Sequence, residues 1–178
     1  MGCNNTSNEK EPDESSHFYI YLIDGKYINE LPYDYSDEKW VDFINQTKLK
    51  NIFISDTDIE SYDWNKQIIT LTKEASNRIK ENLSKDKYDL FEKSFIVSLK
   101  GTKYYAGSIL EVFSARAINY PVIYIEDNAG VINLYIRHTH SGDLNSDYQI
   151  SENDVINKEE IKIFFQQINK LTNSTGLF

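Results

Sequence analysis

Hydrophobic positions along the chain fall into short runs separated by glycine, asparagine and aspartate. The densest stretch runs from Phe95 to Glu126. It reads Phe-Ile-Val-Ser-Leu, a Lys100-Gly101 turn, Lys-Tyr-Tyr-Ala-Gly, a mixed segment from Ser108 to Asn119, then Tyr-Pro-Val-Ile-Tyr-Ile-Glu. β-Branched and aromatic runs of this length satisfy their backbone groups only against partner strands. The stretch is therefore expected at the middle of an antiparallel sheet.

The flanking segments supply candidate partners. His17 to Ile23 alternates and is followed by Asp24-Gly25, a hairpin-turn dipeptide. Ser36 is placed to cap a helix reaching about Lys48, with Trp40, Val41, Phe43 and Ile44 as its apolar stripe. Asn51 to Ile54 reads as a strand, and a hairpin turning at Trp64-Asn65-Lys66 leads into a strand from Gln67 to Leu71. Thr72 caps a second helix from about Lys73 to Ser84, burying Ala75, Ile79 and Leu83. Ile109, Val112 and Phe113 at helical spacing predict a short helix between Ser108 and Asn119. Tyr120 to Ile125 and Val131 to His138 form a hairpin about Asn128-Ala129-Gly130, and an edge strand is expected at Tyr148 to Ile150. Asn157 with Glu160 predicts a capping box for a last helix, whose stripe is Ile161, Phe164, Phe165, Ile168 and Leu171. These elements make a single α+β domain over residues 17–172, between a tether at 1–16 and a tail at 173–178. The expected architecture is an antiparallel sheet of five to seven strands with two or three helices packed on one face.

Composition narrows the function. The net charge of -9 repels nucleic-acid phosphates and anionic membrane surfaces. Only Arg78, Arg116 and Arg137 offer the guanidinium fork suited to phosphate. No run reaches the roughly 20 apolar residues of a membrane-spanning helix. A single cysteine excludes an internal disulfide framework and any all-cysteine metal site.

That cysteine is Cys3, preceded by Gly2 at the head of a leader with no aliphatic or aromatic residue between Gly2 and Ser16. Gly-Cys before a polar, solvated tether resembles the mature start of a bacterial lipoprotein, whose cysteine carries the lipid. The resemblance implies that Cys3 is the attachment site, that a signal peptide has been removed with Met1 in its place, and that the body faces the periplasm or exterior. Gly2 with Thr6 also fits the N-myristoylation pattern, with Cys3 as a palmitoylation site. A second resemblance covers residues 69–125. Leu71-Thr72-Lys73-Glu74-Ala75, Phe95 to Gly101 and Ala106-Gly107-Ser108-Ile109 follow one another as in the periplasmic head subdomain of the bacterial protein-export Sec membrane subunits. It implies a non-catalytic periplasmic module, although Lys100 stands where that family usually has an acidic residue.

Three groups of residues could carry chemistry. His138 and His140 lie two apart at a strand end, so both imidazoles fall on one side of the pleat and could bind Zn²⁺ with Asp143 or Glu126. Asp56, Asp58, Glu60 and Asp63 could offer oxygen ligands to Ca²⁺, although the glycine and distal glutamate of a helix-loop-helix calcium site are missing. Tyr104, Tyr105, Tyr120, Tyr124 and Tyr135, on neighbouring strands, either cover a sheet face as the rim of the core or form an amphipathic surface for a protein or glycan. No serine sits in a hydrolase elbow and no glycine loop cradles phosphate. The expected function is therefore that of a non-enzymatic, envelope-anchored lipoprotein domain. It would bind a protein partner through its sheet face or edge, with no cofactor and no nucleic acid. The alternatives are a metal-dependent enzyme using His138 and His140, and an immunity or inhibitor protein against a basic toxin.

Overall fold

Residues 94–99 and 105–110 are buried without interruption, so β-branched and aromatic side chains point into apolar surroundings on both sides of the backbone. Strands of this kind belong at the centre of a sheet covered on two faces. The computed structural model describes residues 15–27, 35, 38–85, 90–91, 93–114, 118–140 and 148–173, with the backbone alone at 24–27 and 84–85. The described elements are β1 (Phe18–Tyr27), α1 (Glu38–Gln46), β2 (Asn51–Ser55), β3 (Ile59–Asp63), β4 (Ile68–Leu71), α2 (Lys73–Lys85) and β5 (Lys93–Leu99). They continue with β6 (Thr102–Leu110), β7 (Val122–Asn128), β8 (Val131–Arg137), α3 (Glu159–Gln167) and β9 (Leu171–Thr172).

The chain is α+β. Its strands form one nine-stranded sheet in the order β2-β1-β5-β6-β7-β8-β4-β3-β9, against the five to seven expected. Pairing is antiparallel except between β6 and β7 and between β3 and β9. The helices do not share one face, as the sequence pattern suggested. Ala75 and Ile79 of α2 and Ile161 and Phe165 of α3 pack with Phe18, Phe95, Val97, Ile123 and Leu134 on one side. Trp40 and Ile44 of α1 cover Ile23, Ile96, Ala106, Val122 and Tyr124 on the other. The cause lies in β5 and β6: strands apolar on both faces need a cover on each.

Several boundaries moved for local reasons. Asp24-Gly25 makes no hairpin; β1 runs on through it to Tyr27, and the register against β5 shifts between Ile23 and Tyr27. A strand held by β2 and β5 on its two sides absorbs the dipeptide as an irregularity. The helix expected from Ser108 does not start there, because Ser108, Ile109 and Leu110 pair in parallel with Val122, Ile123 and Tyr124. Tyr148 to Ile150 is not a strand; the Ile150 amide donates to the Asn65 carbonyl instead. The N-cap of α3 is Lys158 without a side-chain bond, while the Asn157 side-chain Nδ2 donates to the Ser151 carbonyl. Leu171 has left the helix stripe to join β9. Val41, placed in the α1 stripe, faces solvent at 60% exposure. Ser36 and the two termini lie outside the described residues.

One long-range contact fixes α1. The Lys103 ammonium on β6 donates to the carbonyls of Ile44, Asn45 and Thr47, at 2.9, 3.1 and 2.6 Å. It satisfies the acceptors that a helix end leaves open and places a cation at the negative pole.

Candidate functional site

β8 ends at Arg137, and the three residues after it carry both candidate metal ligands. The two imidazoles go to separate partners. His138 Nδ1 lies 3.4 Å from Asp154 Oδ1. His140 Nε2 lies 2.6 Å from the Ser114 carbonyl, and its Nδ1 lies 2.5 Å from the Tyr124 hydroxyl. A carbonyl can only accept, so Nε2 carries the hydrogen and Nδ1 accepts the Tyr124 O–H. With both nitrogens engaged, His140 has no lone pair to offer a metal. Glu126 accepts from the Tyr135 hydroxyl at 2.6 Å, and Asp143 lies outside the described residues. The chemistry of this corner is that of a latch: Thr139 donates to the Ile118 carbonyl, and the His140 amide donates to the same oxygen.

The acidic group also divides. Asp56 accepts from His17 Nδ1 at 2.9 Å, and Asp63 accepts the Lys66 amide at 3.2 Å. Asp58 accepts the amide and hydroxyl of Ser55 and pairs with Arg78 at 2.9 Å, while Glu60 stands exposed. Among the described residues no three His, Cys, Asp or Glu side chains gather where one ion could sit. None of the described helices is long and apolar enough to cross a membrane.

The tyrosines separate by burial. Tyr105, Tyr120 and Tyr124 are core residues, which corrects their assignment to a surface. They fill the two apolar layers: Tyr120 packs on Trp40 at 5.0 Å, and Tyr105 meets Phe95 edge-on at 6.4 Å. Tyr104 and Tyr135 remain half-buried. Tyr135 shares its side of the sheet with Thr70 and Asn133, on the part of that face formed by β8, β4 and β3. Arg137, on the same face, is buried. Its guanidinium donates to the carbonyls of Lys66 and Ile136 and stacks 4.0 Å over the Tyr148 ring. Cys3 lies outside the described residues.

The concave feature that the sequence did not single out lies between α2 and the β7–β8 hairpin. A hollow of about 560 Å³ is walled by Leu83, Phe91, Val112, Ile125 and Ile132. Phe113 stands at its lip with 96% of its surface exposed. Lys80, Glu111 and Asp127 supply the charged rim. Asp127 caps the hairpin by accepting the Gly130 amide at 2.8 Å, and Lys80 donates to the Gly130 carbonyl at 2.8 Å. Val112 and Phe113 were assigned to the stripe of the short helix. Because β6 runs on to Leu110, the chain turns at 111–114 instead, with the Ser114 amide donating to the Glu111 carbonyl. An apolar pair set just beyond a buried strand and the charged Glu111 was the one available signal. Comparison with protein-family models, with curated proteins and with solved structures finds no match for this chain.

Proposed function

We propose that the chain is the body of an envelope-anchored bacterial lipoprotein, held through an acylated Cys3, and that it works by holding a protein partner. The observation that supports contact over turnover is Phe113. A nearly bare aromatic side chain beside an apolar hollow is the kind of feature that anchors protein interfaces. The opposite face of the sheet, with the half-buried Thr70, Asn133 and Tyr135, offers a second, polar surface. The anchor half of the reading is supported by Gly2-Cys3 and the leader that follows.

Two measurements test the two halves. Expressed with its upstream codons in a bacterium, the protein is expected to incorporate an azide-bearing palmitate analogue, and Cys3→Ser is expected to abolish the label. An unlabelled wild type ends the anchor. After gentle solubilisation from the native host, the chain is expected to migrate in a complex heavier than its own 20.8 kDa. Migration as a lone chain ends the contact reading.

A further inference from the structure

We infer that the hollow beside Phe113 is the docking point for a cationic segment of that partner, which seats one large apolar side chain between α2 and the β7–β8 hairpin. The inference rests on the contact reading above and names its surface and its chemistry. The volume of about 560 Å³ falls in the range of built ligand sites, and five apolar side chains line it. Phe113 adds a free wall that a guest side chain can cover.

Charge selects the occupant. The rim carries two carboxylates, Glu111 and Asp127, against one ammonium. That ammonium, on Lys80, donates to the Gly130 carbonyl and pairs with Asp127 at 3.9 Å, which leaves the rim an excess of one carboxylate. An anionic amphiphile would therefore enter against the rim and against a chain of net charge -9. A second copy would bring the same charge to the same surface. Lysine or arginine flanking an apolar anchor meets complementary charge both at the rim and at long range.

The test is selection of a displayed random 12-residue peptide library on the full chain. Enriched peptides are expected to place one Leu, Phe or Trp between Lys or Arg residues. Their affinity should fall about tenfold on Phe113→Ser, as for an anchor contact. It should also fall several-fold between about 50 and 300 mM salt, as for screened charges. Phe113 projects into solvent, so Phe113→Ser should leave the melting temperature unchanged. Glu111→Gln with Asp127→Asn gives an independent readout by flattening the salt dependence. Acidic or uncharged winners, equal binding to Phe113→Ser, or no enrichment would overturn the inference. So would a concentration-dependent dimer of the wild type that Phe113→Ser dissolves. Photo-crosslinkers at positions 70 and 113 in the native host separate the two levels. A partner captured from position 70 alone overturns the docking point and spares the contact reading; capture from neither overturns both.

Discussion

Gly107 on β6 lies against the Pro121 carbonyl so closely that a methyl group there would sit 1.9 Å from the oxygen and 2.6 Å from its carbon. That approach lets the Ser108 amide donate to the same carbonyl at 3.1 Å, at the entry to the parallel β6–β7 pairing. Backbone cannot yield as a side chain can. Gly107→Ala is expected to cost at least about 3 kcal/mol, as overpacking at a rigid site does. Gly101→Ala is the control: it has open space but a φ of +78°, and should cost about 1 kcal/mol. Denaturant unfolding of the two variants would show the ranking, and equal losses would refute it.

Tyr124 and His140 offer a second test. Two-bond ¹H–¹⁵N spectra should show His140 as the Nε2–H tautomer, since only that form donates to Ser114 and accepts from Tyr124. Tyr124→Phe removes one buried donor and should cost about 1–2 kcal/mol. The Nδ1–H tautomer would contradict the arrangement.

Lys103→Met keeps the apolar stem and removes the ammonium that binds three carbonyls at the end of α1. A loss of about 1–2 kcal/mol is expected, with faster amide exchange concentrated in residues 38–46. Uniform acceleration across the sheet would show that Lys103 does not act on α1 in particular.

Asp58 gives the stability an acid limb. Burial alone would raise its carboxyl, but Arg78 and the Ser55 amide and hydroxyl outweigh that and hold it below the usual value of 3.8. A depressed carboxylate contributes fully above its unfolded value, and the contribution is lost as pH falls through the folded one. Arg78→Met should therefore cost less than about 1 kcal/mol near neutrality, since the Arg78 side chain is half exposed. The difference from wild type should close as the medium is acidified below pH 3.8. A gap that persists in acid would point to packing of the Arg78 stem.

Tyrosine sets the alkaline limb. Burial and the neighbouring Glu126 carboxylate push Tyr135 up to about 12, and burial pushes Tyr35 up to about 12 as well. A phenol held neutral stabilises the fold below its unfolded value of 10.0, and that contribution is lost as pH rises through the folded one. At pH 10.0 the folded chain should ionise fewer of its 13 tyrosines than the unfolded chain, read by phenolate absorbance. Glu126→Gln should bring Tyr135 back toward the ordinary value. Matching titrations of the folded and unfolded chains would reject this.

What was legible in the sequence was local. Thr72 caps α2 as its position suggests, its hydroxyl accepting the Ala75 amide at 3.3 Å. The Asn128-Ala129-Gly130 turn adopts positive φ at Ala129 and Gly130, as a tight hairpin requires. The sides of the sheet were less legible. Alternation tells which residues point together, not whether the opposite side is covered, so Tyr105, Tyr120 and Tyr124 read as surface when α1 and α3 help to bury them. The hollow at Phe113 was hidden for a related reason. Its walls come from α2, the turn after β6, and both strands of a hairpin, positions far apart in sequence that no period connects.

The strand order also bears on self-assembly. One border of the sheet is β9, two residues long and paired only with Tyr62 and Asp63, which leaves almost no ladder for a foreign strand to extend. At the opposite border, β2 is five residues long and bares Ile52. Of the two borders among the described residues, that rim offers the longer ladder to a foreign strand, and a lysine at position 52 would be the economical way to block it.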